Sequence, residues 1–111
     1  MILNKVYSML GLAAKAGKIA SGEFMTERSV KDGSACLVVV ATDASDNTKK
    51  NFRDMCTYYH VPIEEYGSKD ELGHAIGKEM RASLAINDQG FANSVQSKIE
   101  SSKKTGGSNY E

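Results

Sequence analysis

The sequence predicts an α/β fold, a three-layer α/β/α sandwich around a small mixed central sheet, and three observations carry that expectation. Helical and strand-like segments alternate along the chain. One run, Cys36-Leu37-Val38-Val39-Val40-Ala41, is continuously apolar and rich in β-branched residues, as a strand buried on both faces must be. The length, 111 residues, suits one domain, of the size that buries roughly two-thirds of the surface its unfolded chain exposes. No internal repeat or linker divides it, so residues 1–100 are expected to form the domain and 101–111 a flexible tail.

Taken in order, Leu3, Val6, Leu10 and Ala13 recur at spacings of three and four, which places them on one face of a first helix. Gly17 follows where a left-handed C-cap residue is expected. A short extended piece, 18–21, leads to a second helix from about Gly22 to Asp32, ended by Gly33. After the central strand, the cluster Asp43-Ala44-Ser45-Asp46-Asn47 reads as a turn and N-cap for a third helix running to about His60. The sole proline, Pro62, starts a strand over 62–66. Ser68 and Glu71 have capping-box spacing for a helix that stops at Gly77. A strand over 82–86 follows, and Asp88 caps a last helix to about Ile99. Beyond it, residues 101–111 are rich in Ser, Lys and Gly and offer only Tyr110 for burial, the composition of a frayed tail.

Composition fits an ordinary soluble protein, with 41% hydrophobic and 25% charged residues. No apolar run approaches the length of a membrane span. The helical pattern begins at once, without the regions of a secretory signal. The chain is therefore expected in the cytoplasm, with Cys36 and Cys56 as reduced thiols. No CxxC, HExxH, GxSxG or GxxxxGK[ST] motif is present.

Other candidate chemistry fails on context. Cys56 and His60 sit four apart, as two metal ligands would, but a site needs three or four and only His74 remains among the histidines. No metal or other cofactor is expected. Asp43 follows the buried strand, where open α/β sheets gather ligand-binding groups. A phospho-acceptor there needs further carboxylates to hold Mg²⁺, and the first strand supplies none, so a turn-and-cap role is favoured. Gly11 to Gly17 and Gly73 to Gly77 do not lie between a strand and the helix after it, as a phosphate loop requires. Their small residues are expected to permit close helix packing or to end helices.

Charge is more informative. The chain balances 14 Lys+Arg against 14 Asp+Glu, which by itself argues against a nucleic-acid binder. Residues 1–53, however, hold eight basic and five acidic residues, a surplus of +3, and the remainder six and nine, or −3. From Met1 to Gly22 there are three lysines and no acid. Such a dipole is compatible with one face meeting phosphates and equally with a solvated surface.

Five segments occur in one order: Leu10-Gly11-Leu12-Ala13-Ala14-Lys15-Ala16-Gly17-Lys18, Val39-Val40-Ala41-Thr42-Asp43-Ala44-Ser45, Cys56-Thr57-Tyr58-Tyr59-His60-Val61-Pro62, Leu72-Gly73-His74-Ala75-Ile76-Gly77-Lys78 and Ala85-Ile86-Asn87-Asp88-Gln89-Gly90-Phe91. Together they resemble the ribosomal protein L7Ae/L30e superfamily, and within it the bacterial YlxQ-type branch, over about residues 2–99. The resemblance implies the same sandwich, no enzymatic activity, and binding of structured, typically kink-turn, RNA by ribosomal or ribosome-associated proteins. A monomer is expected, with structured and chiefly ribosomal RNA as partner, protein partners in the translation machinery, and no membrane.

The resemblance also implies a site. In RNA-binding relatives a glycine opens the second helix to the phosphate backbone, a polar pair reads sheared G·A base pairs, and a basic residue one turn later holds the backbone. The matching stretch here is Gly22-Glu23-Phe24-Met25-Thr26-Glu27-Arg28. Gly22 and Arg28 fit, whereas Phe24 and Met25 stand where the polar pair would be and cannot make those hydrogen bonds. Phe24 either stacks on an unpaired base, for about 1–3 kcal/mol, or is a partly buried helix residue in a degenerate site, the reading slightly favoured. Ser45 and Lys49 match the turn after the central strand. Lys78, Glu79, Met80 and Arg81 match the loop before the last strand, with Lys69 nearby and Lys18 on the basic N-terminal segment. Phosphate-contacting positions thus persist better than base-reading ones. The alternatives are a protein-interaction module on the same fold that has lost kink-turn specificity and, more weakly, an enzyme or phospho-receiver using Asp43.

Overall fold

A computed structural model describes residues 4–108 of the chain, with side chains as far as residue 103. The elements follow the order α1 (Lys5–Lys15), β1 (Ile19–Ser21), α2 (Glu23–Lys31), β2 (Leu37–Val40), α3 (Asp46–Tyr59), β3 (Ile63–Glu65), α4 (Lys69–Ala75), β4 (Ser83–Ile86) and α5 (Gln89–Ser108). The four strands form one sheet in the order β1-β4-β2-β3. Here β4 runs antiparallel to both β1 and β2, while β3 runs parallel to β2, so the sheet is mixed. Both inner strands are buried along their whole length, which explains the unbroken apolar run at 37–41.

Helices cover the sheet in two groups. On one side α1 packs on α4 and α5; on the other α2 packs on α3. Phe52, Leu10, Leu37, Leu72, Leu84, Ile86 and Ile99 are the largest fully buried side chains. Of the face expected for the first helix, Val6, Leu10 and Ala13 are buried, and Leu3 lies outside the described residues. Cys36 and Cys56 are free thiols, and burial pushes the Cys56 thiol up to about 11.

The helix ends are written in their termini. α1, α2 and α4 each close with the paired bonds of a Schellman motif, for example Lys18 N–H to the Ala13 carbonyl (2.9 Å) and Gly17 N–H to that of Ala14 (3.0 Å). Gly17, Gly33 and Gly77 hold the left-handed position with φ of 74°, 85° and 76°. At the other ends, Ser45 caps α3 and Ser68 forms the reciprocal capping box with Glu71. Asp43 does not cap α3 as its position suggests. Its carboxylate accepts from Lys69 N–H at the start of α4 instead (2.9 Å), tying the turn after β2 to a helix that begins 26 residues later.

α5 differs from the sequence expectation. It continues past Ile99, through much of the stretch expected as tail, to Ser108. None of Glu100, Ser101, Ser102 and Lys103 obliges a helix to stop, and Lys103 donates to Glu64 on the edge strand β3 (2.9 Å). Tyr110 lies outside the described residues.

Candidate nucleic-acid interface

Three segments converge at one end of the sheet because of its strand order. Where β1 ends, Gly22 N–H donates to the Ser83 carbonyl at the start of β4 (3.0 Å); where β2 ends, Ala41 N–H donates to that of Ala82 (2.9 Å). The start of α2, the turn after β2 and the loop between α4 and β4 therefore meet around one pivot, residues 82–83. Most of the site residues expected from the sequence fall here; Lys18 lies at the opposite end of β1.

The loop between α4 and β4 is firmly braced. Gly77 ends α4 and Lys78 N–H returns to the Gly73 carbonyl (2.8 Å). Further on, Arg81 N–H donates to the Lys69 carbonyl (3.0 Å). The Arg81 side chain spans to β1, with Nε donating to Ser21 Oγ (3.1 Å) and Nη1 to the Met80 carbonyl (3.0 Å). Arg81 is thus half-buried and works as a strut. Lys69 contributes through its backbone, joining Asp43 and Arg81. Lys78, Glu79 and Met80 are exposed at the crest. Gly73 makes this path possible, because a methyl group on it would overlap the Glu79 carbonyl. Nothing in the sequence signals that requirement, which arises from a loop folding back on its own helix.

A network of half-buried side chains, ending at the exposed Glu71, steadies α4 from behind. The Asn4 amide donates to Tyr66 Oη (3.0 Å), the Tyr7 and Tyr66 rings meet edge to face at 5.6 Å, and Tyr7 Oη donates to Glu71 Oε1 (2.9 Å). The Tyr7 hydroxyl is pushed well above its ordinary range by burial and by that bond. The bonds from Tyr7 and from Ser68 N–H hold the Glu71 carboxyl below the usual carboxylate range.

The helix end is built differently. Gly22 is the N-cap of α2 at φ 90°, a conformation that side chains rarely adopt, and no side chain caps the helix there. Its first backbone N–H groups and its dipole favour an anion. Glu23, Phe24, Met25 and Arg28 are all exposed. The expectation of a partly buried Phe24 is corrected: it is 72% exposed, and Met25 is 44% exposed. The reason is periodicity, since Thr26, Ser29 and Val30 form the inward face of α2. Phe24, Arg28 and Lys31 fall on one outward stripe beside a shallow groove of about 360 Å³.

The turn after β2 is already occupied by its own structure. Ser45 Oγ accepts from Thr48 N–H (3.1 Å) and donates to Thr48 Oγ1 (3.0 Å). Lys49 lies 3.9 Å from Glu65, which also pairs with Arg53 (2.7 Å). Lys18 is exposed beyond the end of α1. Cys56 is buried while His60 is the exposed left-handed C-cap of α3, so the two do not converge. Among the described residues no group of three or more His, Cys, Asp or Glu is arranged to hold a metal. No helix among them is long and apolar enough to cross a membrane.

The molecule is thus an α/β/α-sandwich domain whose candidate binding surface is one end of a mixed sheet, made of a glycine-opened helix and a braced basic loop. Comparison with known proteins gives that architecture a family. The chain belongs to the ribosomal protein L7Ae/L30e/S12e/Gadd45 family, whose sequence model matches residues 4–96. It is 43% identical over 94 residues to the RNA-binding protein YlxQ of Bacillus subtilis (strain 168), covering 85% of this chain and 94% of the relative. It is 31% identical over 101 residues to the large ribosomal subunit protein eL30 of Spodoptera frugiperda, covering 89% of each. Among solved structures, a Bacillus halodurans protein of unknown function superposes with a TM-score of 0.85 at 36% identity, over 88% of this chain and 99% of that one. The Giardia lamblia 15.5kD RNA binding protein shares the fold, with a TM-score of 0.74 at 23% identity over 90% of this chain and 86% of that one.

Proposed function

We propose that the chain binds folded, kink-turn-like RNA as a cytoplasmic, ribosome-associated protein with no enzymatic role. In this reading it holds the phosphate backbone more than it reads bases. The observation that carries the proposal is the convergence, around Ala82 and Ser83, of an uncapped glycine-opened helix start and a loop that presents Lys78 and Arg81. Phosphate contacts supply salt-dependent affinity without sequence information, whereas bidentate base contacts supply discrimination of about 1–3 kcal/mol each. Phe24 and Met25 offer no donor or acceptor for a sheared pair, and the exposed ring of Phe24 suits stacking on an unpaired base. The RNA-binding relatives support the ligand class; the placement of the contacts is the proposal. Titrating kink-turn, internal-loop and plain duplex RNAs at several salt concentrations tests it. Saturable binding weakened by Arg28→Ala and Lys78→Ala is expected, and its absence overturns the reading.

A second reading, a protein-interaction module in the translation machinery, is favoured by the exposure of Phe24, Met25 and Met80 at the same end of the sheet. RNA titration separates the two, since apolar docking has little dependence on salt.

A further inference from the structure

A groove outside the surface described above has a charge pattern that sets its occupant. It encloses about 560 Å³ between the C-terminal turn of α1, the edge strand β1 and the turn that ends α4. Its lining includes Lys15, Ile19, Ser21, His74, Gly77 and Lys78, and among the described residues no carboxylate lines it. Two of these residues join it to the proposed interface: Ser21 receives the Arg81 strut, and Lys78 crowns the braced loop. Across His74 lies a second hollow, also bordered by Lys78, whose lining carries Asp70, Glu71 and Glu79. Lys78 and His74 therefore stand on a divide and line both hollows, with three carboxylates on one side and, among the described residues, Lys15 as the one further charged residue lining the other.

We infer that the RNA held at the sheet end continues through the acid-free groove, its phosphate backbone running from Lys78 past Ser21 to Lys15. The deduction rests on the proposed RNA-binding function and extends it by assigning a direction and a second contact strip. Phosphates repelled by Asp70, Glu71 and Glu79 have a lower-energy path on the α1 side. Lys15 occupies the last turn of α1, where its charge also suits the helix dipole and its side chain is exposed. Glycine and alanine at the groove floor, Gly11, Ala14 and Ala75, leave the room that a sugar–phosphate strand needs.

The test uses the full chain and a hairpin RNA whose internal loop is flanked by duplex on both sides, compared with the same RNA trimmed to the loop and one flank. Lys15→Ala is expected to lower affinity for the long RNA severalfold and to make the slope of log K against log salt shallower by about one. Lys15→Arg is expected to retain both. Binding of whichever trimmed RNA lacks the flank in the groove is expected to be indifferent to Lys15. Lys50→Ala, on α3 and paired with Asp54, is the control expected to change neither quantity. An unchanged slope for Lys15→Ala, with binding still weakened in Lys78→Ala, overturns the groove assignment and leaves the sheet-end interface standing. No RNA binding by the unaltered chain overturns both.

Discussion

The two halves of the proposed interface are made on opposite principles. The loop from Gly77 to Arg81 is held by a Schellman closure, the Lys69 carbonyl, the Ser21 hydroxyl and the absence of a side chain on Gly73. Its cations are presented from a fixed backbone. The start of α2 is anchored on its inner side, by Gly22 N–H on the Ser83 carbonyl and by buried Thr26 against Ser83, but no side chain caps it, and outward it shows apolar Phe24 and Met25 beside Glu23. In the proposed function, a rigid basic element beside a helix end without base-reading groups would supply affinity and shape selection while relinquishing hydrogen-bonded readout.

The largest effect should come from breaking the brace. Gly73→Ala forces the Glu79 backbone aside, and overpacking of this kind costs about 1–3 kcal/mol. We expect a lower melting temperature and, in the protein that still folds, RNA affinity reduced more than by Lys78→Ala alone. Equal affinity in the folded variant would show that the loop geometry does not matter to binding.

Next comes the helix end. Phe24→Ala is expected to weaken binding to RNA with an unpaired base by about 1–3 kcal/mol, without altering the salt slope. A change in slope, or an equal loss on plain duplex, would remove stacking from the account. Smaller still are the single charges. Arg28→Ala and Lys78→Ala should each flatten the slope by about one, measured by fluorescence titration over a range of salt.

The smallest effect is a pH dependence of the brace itself. Glu71 has a folded-state pKa below its ordinary value, so its contribution to stability is present above that value and lost as pH falls through the folded one. Thermal melts in mild acid should show this loss, reduced in Tyr7→Phe. At the alkaline end Cys56, raised from 9.0 to about 11, gives the opposite sign, with stability falling as pH rises between those values.

These contrasts also mark what the sequence could disclose. The core strand at 37–40, the glycine-ended helices and the Ser68–Glu71 box were legible because each rests on local chemistry, namely continuous apolarity, a positive φ, or a cap three residues away. What escaped depends on contacts distant in the chain. Asp43 serves α4 rather than the nearby α3, and Lys103 finds Glu64 and accompanies the continuation of α5. In the candidate site, motif order nominated residues, but the part each plays in the fold was not legible. Arg81 is a strut as well as a cation, Ser45 is occupied as a cap, and Phe24 points outward because Thr26, Ser29 and Val30 claim the inner face. Lys15 belonged to an acid-free stretch already visible, yet only the fold sets it beside Lys78.

The central claim is that this surface binds folded RNA while reading little through base edges. Its most direct measurement is the ratio of kink-turn to plain-duplex affinity, taken for the unaltered chain and for the double substitution Phe24→Asn with Met25→Glu. The account expects saturable binding with a ratio of about ten or less, rising in the double variant by about 1–3 kcal/mol for each bidentate base contact regained. A ratio of about a hundred or more in the unaltered chain, or no binding to either RNA, would contradict it.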